Sequence, residues 1–211
     1  MNKTAEDSSL IPTKGNHTFS ICRVTSEKAI KLQNLIEGIR HKREYLLKSS
    51  AILTPKKMER LLLDLHDEYT YLIRKLHDAF LLRQYHVNNI TCTVGRSVLA
   101  QRLAGINTYS GNITHTAIGT GTTAVAIGDT QLTTEVYRKA LSSGAFISNV
   151  SYIETFFSAL ETSGNYKEFG NFIDGSASAN TGQLVNHFLQ TISKSTSETM
   201  NVQSIFTISD A

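Results

Sequence analysis

The chain has no tryptophan, only two prolines and only two cysteines in 211 residues, and each shortage removes a class of explanation. Cys22 and Cys92 are too few for a disulfide framework or for a zinc site of their own, so a reducing compartment is the simpler setting. Without Trp, few aromatics could converge on a sugar ring, and glycoside hydrolysis has little to stand on. The longest uninterrupted apolar runs are about four residues, as at 79–82, against the ~20 that span a membrane. The opening MNKTAEDSSLIPTKGNHTFS lacks the apolar core of a signal peptide, which argues against export by that route. Charged residues, at 18%, fall below the usual quarter, while Ser, Thr, Asn and Gly are abundant, a bias that suits β-structure with many turns.

The charge that is present is unevenly placed. Residues 1–86 hold 15 of the 21 Lys and Arg and 10 of the 18 acids, a balance of +5; residues 87–211 hold 6 bases and 8 acids, a balance of −2. A mildly basic front joined to a mildly acidic back suggests two modules with different partners. Neither has the dense basic stripe of a nucleic-acid binder, so nucleic acid is not an expected partner.

Residues 1–20 are polar and aperiodic and read as a flexible arm. From 25 to 48, Ala29, Leu32, Ile36, Ile39 and Leu46 follow a three-four spacing, with Arg43 where another apolar residue is due, which predicts a helix with a narrow seam. Thr54 as N-cap and Pro55 at the first helical position start a second helix, running to about residue 85 with the seam Met58, Leu62, Leu65, Tyr69, Leu72, Leu76 and Ala79. Residues 21–86 are therefore expected to form an antiparallel helical hairpin. An isolated pair buries little, and the side residues Leu61, Ile73 and Phe80 call for a third surface. That surface is either the rest of the chain or a neighbouring subunit, and the neighbour is the favoured reading. Ile36, Ile39, Leu62, Leu65, Tyr69, Leu72 and Leu76 then form an oligomer interface, and Leu72→Asp should dissociate the assembly with the remainder still folded.

Beyond residue 86 the period changes. A strand at 87–93 and a short helix at 96–104, closed by Gly105, precede strands at 113–118, 136–141, two within 145–160, 166–173, 184–192 and 200–208. Six to eight short antiparallel strands over residues 87–211 indicate a β-sandwich with seven of the nine phenylalanines as its core. The fold class is α+β: a helical hairpin, then an antiparallel sandwich with one short helix.

Candidate chemistry is thin. GTGTT at 119–123 lacks the lysine and the following helix of a phosphate loop and reads as a strand-to-strand connection. His66 and His77 share nearly one helix face about 16 Å apart, too far to hold one ion, and read as surface residues flanking the seam. Asp129, Glu135, Glu154, Glu161, Glu168 and Asp174 are scattered over separate elements, and His115 and His187 lack a nucleophile-elbow partner. Lys42, Arg43, Lys48, Lys56, Lys57 and Arg60 surround the hairpin tip, diluted by Glu44 and Glu59, and read as solvated helix ends. No catalytic, cofactor or metal site is expected.

VGRSVLAQRL at 94–103, ITHTAIGTGTTAVAIGDTQLTTEVYRKAL from 113, and EFGNFIDG at 168–175 occur in that order. Together they resemble a family of small structural proteins of tailed-bacteriophage virions, of the tail-fibre, head-fibre or decoration kind, over residues 87–211. The front departs from that family, many of whose members lack the hairpin. The resemblance implies a non-enzymatic sandwich displayed in many copies on a particle, assembled in host cytoplasm beside other virion proteins of capsid, neck, tail or baseplate. Its alternative is a fibre module that binds a host-surface glycan or receptor.

Overall fold

The computed structural model describes residues 13–49 and 52–208. Along the chain come β1 (Thr13–Arg23), α1 (Glu27–Lys48), α2 (Pro55–Phe80), β2 (Leu81–Asn88), β3 (Ile90–Thr91), α3 (Thr93–Leu103), β4 (Ile113–Gly119) and β5 (Glu135–Ala140). There follow β6 (Ser143–Ile147), β7 (Val150–Phe157), β8 (Gly164–Ile173), β9 (Gln183–Lys194) and β10 (Glu198–Ile208). Two five-stranded antiparallel sheets result, one ordered β2-β1-β10-β7-β6 and the other β3-β9-β8-β4-β5. Their facing sides share one core: Phe19, Ile21, Phe157, Met200 and Val202 from the first sheet meet Ile118, Tyr166, Phe169, Phe188 and Ile192 from the second. Met200, Val202 and Phe206 point inward together, as their period of two predicts.

The front of the chain differs most from expectation. Residues 13–20 of the expected arm belong to β1, which pairs with β10 from Thr13↔Ile208 to Arg23↔Glu198 and with β2 on its other side. His17, Phe19 and Ile21 alternate inward from this strand. Residues 1–12 of the arm lie outside the described residues. The helices are thus an insertion between two adjacent strands of one sheet, and the expected boundaries at 21 and 87 cut through β1 and β2. Helix α2 also ends earlier than expected. Leu81 is already extended (φ −62, ψ 128), and the following residues gain ladder hydrogen bonds along β1.

The start of α2 is as the sequence indicates, with Thr54 Oγ1 accepting from Lys57 N and Pro55 at the first position, and α1 is capped by Ser26, whose Oγ accepts from Ala29 N. The α3 stop is also legible. Gly105 follows the helix at φ +77, a conformation that costs glycine little.

The third surface that the helix pair needs is the chain's own first sheet. Ile36 and Ile39 of α1 and Tyr69, Leu72, Ile73 and Leu76 of α2 pack with Cys22 of β1 and Phe156 of β7. Leu65 is partly buried against this cluster, and Leu62 is half-buried. Five of the seven residues expected at an oligomer interface, Ile36, Ile39, Tyr69, Leu72 and Leu76, are therefore interior. Each large side chain buried there contributes about 1.5–3 kcal/mol, which a subunit exchange would have to replace. Polar ties fasten the same contact: Tyr69 Oη donates to Asn201 Oδ1, His66 Nδ1 lies 3.0 Å from Ser143 Oγ, and Lys139 Nζ donates to Glu37 at 2.7 Å. Leu72→Asp is accordingly expected to destabilise the whole chain and not merely to separate subunits. The phenylalanines divide differently too: Phe19 joins the inter-sheet core, Phe156 sits beneath the helices, and Phe146 is exposed on β6.

Candidate functional site

Three buried polar arrangements stand out, and the first gathers residues that the sequence scatters. Residues 120–134, between β4 and β5, cover the outer face of the second sheet, where Leu132 packs with Cys92, Ala117, Phe172 and Leu184. Glu168 of β8 ties this segment down. Its Oε1 accepts from Gly121 N at 2.9 Å and Thr134 N at 2.6 Å, and its Oε2 accepts from Thr133 N at 2.8 Å. His187 of β9 stands beside it, Nε2 at 3.2 Å from Glu168 Oε2 and Nδ1 at 2.7 Å from Asp129 Oδ2, which also accepts from Ala126 N. A Cβ on Gly119 or Gly121 would collide with the Glu168 carboxylate, so glycine at both positions is a matter of close approach. Glu168 and His187 are sealed from solvent, and burial pushes the neighbouring Cys92 thiol up to about 12. The cluster resembles a catalytic relay in composition only. Its acceptors are occupied by backbone amides, and it anchors a loop.

The second arrangement crosses the middle of the sandwich. Asn186 Oδ1 accepts from Asn171 N, which directs Asn186 Nδ2 at His17 Nε2, 3.0 Å away. His17 Nε2 must then accept, so Nδ1 carries the proton and donates to Ser204 Oγ at 2.8 Å. Asn171 Nδ2 donates to the same Ser204 oxygen, Thr116 Oγ1 donates to Asn171 Oδ1, and Thr155 meets Thr116 at 2.7 Å. Six strands contribute one residue each to a closed polar layer. Burial lowers the His17 pKa to about 3, and a second ring proton would face the Asn186 amide donor.

The third is a cavity of about 950 Å³ bounded by α1, the α2 residue Leu62, α3 and one end of both sheets. Ile113, Leu141, Ile153, Ile173, Val185 and Phe206 give it apolar walls. Into it comes Arg43, the residue that breaks the α1 seam. Its guanidinium lies over β6 where a Cβ on Gly144 would be 3.3 Å from Nη2, and its Nε is buried without a hydrogen-bond partner among the described residues.

A smaller cleft of about 280 Å³ opens between α2 and the first sheet, lined by Thr70, His77, Glu154, Asn201 and Gln203 among others. Burial raises the Glu154 pKa to about 6, although Asn201 Nδ2 and Gln203 Nε2 donate to its two oxygens. His66 and His77 are not surface residues: His66 is buried and His77 half-buried, and burial lowers the pKa of each.

The other carboxylates answer local cations or amides. Glu135 pairs with Arg138, Glu161 with Lys139, and Asp174 with Ser110. His115 lies 3.1 Å from Thr114 Oγ1. Of the basic residues at the helix ends, Lys42 and Lys48 pair with Glu68 and Glu44, while Lys56, Lys57 and Arg60 are exposed. Sequence reasoning missed the polar layer altogether. It noted Arg43 as an interruption of the seam, the one signal that leads to the cavity. Among the described residues no group of three or more His, Cys, Asp or Glu is placed to hold a metal ion, and no helix is long and apolar enough to cross a membrane. Compared with family models, with curated proteins and with solved structures, the chain matches none.

Proposed function

We propose that this chain is a non-enzymatic structural component of a tailed-phage virion, present in many copies and assembled with other virion proteins in the host cytoplasm. What supports the reading is where the family-like segments fall. IGTGTTA and EFG meet at Glu168, and GDTQL reaches it through the Asp129–His187 pair, so that Gly119, Gly121, Asp129, Thr133 and Thr134 together hold one long loop on the second sheet. The sequence signal behind the resemblance is thus an architectural device, as suits a display scaffold.

Self-association is part of the proposal, but through a different surface from the helix seam. The edge strand β6 exposes Phe146 and Ile147 beside an unpaired backbone edge, and the helix ends expose Tyr45 and Ile52 at 72% and 87%. A second copy adding along this edge would cover them. Mass measurement of the purified chain across a concentration series tests this, with Ile147→Lys, Ile52→Lys as the disrupted form. The reading expects oligomers that the double substitution reduces to folded monomers. A chain that stays monomeric at every concentration and does not incorporate into particles overturns it.

A further inference from the structure

Among the described residues, no carboxylate pairs with Arg43. A guanidinium remains protonated at neutral pH, and desolvating it without a counter-charge is unfavourable. Every other charged group lining the cavity is already engaged. Arg40 bonds Glu37 and Glu44, Glu44 also meets Lys48, and Asp174 accepts from the Ser110 amide and hydroxyl. Burial is the sole cause that lowers the Arg43 pKa, which agrees with the lack of a paired carboxylate among the described residues.

The space around it suits one kind of ligand. At about 950 Å³ the half-open cavity has the size of a small-molecule site, bordered by α1, by Leu62 of α2 and Leu99 of α3, and by both sheets. Ile, Leu, Val and Phe side chains make the greater part of its wall and match a hydrocarbon, while Ser110, Asn112, Thr114, His115 and Ser151 give the rest a polar rim. The absent side chain of Gly144 leaves the guanidinium room to turn its planar fork toward the cavity.

We propose that this cavity binds an aliphatic carboxylate, its chain along the apolar walls and its carboxylate on the Arg43 guanidinium. The cavity borders the assembly surface, because Phe146 of β6 lines it, but Ile147 and Ile52, the residues altered in the assembly test, do not, so the two tests fail separately.

Isothermal titration of the full chain, stripped of bound lipid, would use three twelve-carbon probes below their micelle concentrations: dodecanoate, dodecanol and dodecyltrimethylammonium. Dodecanoate should bind at least about tenfold more tightly than dodecanol, a difference of about 1.4 kcal/mol, and the cation should not bind. Arg43→Met, which keeps the length of the side chain, should erase the preference for acid over alcohol while retaining dodecanol binding. Arg43→Lys should keep part of it. Equal affinity for acid and alcohol in the unaltered chain, no binding of either, or an acid preference that survives Arg43→Met overturns the proposal. So does an apolar peptide with a central Asp that binds where dodecanoate does not. Should Arg43→Met fail to fold by circular dichroism, the probe series on the unaltered chain and on Arg43→Lys decides alone.

Discussion

His17 is sealed from water and Arg43 is half-buried with its Nε covered, and they differ in what surrounds them. His17 has a partner on each ring nitrogen within a network that six strands close between them. Arg43 has a largely apolar cavity on one side and a glycine on the other, and its Nε has no partner among the described residues. A satisfied buried polar group fixes the register of the elements that supply it, because a slip by one residue would leave several groups unpaired. An unsatisfied one does nothing for the fold and marks a place where something else is to bind.

The largest expected effect tests the satisfied side. His17 has a folded pKa of about 3 against an ordinary 6.5, so the unfolded chain takes up its proton first as the pH falls. Its favourable contribution is complete above pH 6.5 and is lost at about 1.4 kcal/mol per pH unit on the way to pH 3, about 5 kcal/mol in all. Denaturant melts over that range should show this slope, and His17→Gln should flatten it. A slope unchanged by His17→Gln would mean that the layer does not control acid stability.

Next in size is Asn171→Leu, which takes the acceptor from the Thr116 hydroxyl and one of two donors from Ser204 Oγ in a sealed layer and should cost about 3 kcal/mol. The midpoint of a urea melt reads it directly. Glu154 should act in the opposite sense to His17 at a smaller scale. Its folded pKa of about 6 lies above the ordinary 4.5, so its contribution is complete below pH 4.5 and about 2 kcal/mol is lost as the pH rises through 6. Glu154→Gln should remove that loss and expose the His17 slope more cleanly between pH 4.5 and 6. The smallest effect has the sign that separates the two regions. Arg43→Met should stabilise the ligand-free chain by on the order of 1 kcal/mol, because an unpaired buried charge is exchanged for an apolar side chain in an apolar cavity.

The strands from β4 to β10 were legible as short runs of β-branched and aromatic residues between Gly, Asn, Asp or Ser turns, and the start of α2 was legible because Thr54 and Pro55 are local signals. β1 was obscured by the polar residues among Lys14, Asn16, Thr18 and Ser20. Its pairing with β10 joins residues nearly the whole chain apart, and no local pattern reports such a pairing. The same separation hid the grouping of Asp129, Glu168 and His187, whose spacing along the chain carries no period.

By itself, then, the sequence determined the helices and the strands from β4 onward, the apolar seam of the helices and the single residue that interrupts it, since propensity, capping and periodicity act over a few neighbouring residues. Only the tertiary structure decided what the seam faces. An amphipathic helix needs an apolar surface without naming one, and here β1, β7 and β10 supply it within the chain. The same packing decided that Arg43, a solvated helix-end cation by its neighbours in sequence, ends with its Nε buried above Gly144 at the wall of a cavity.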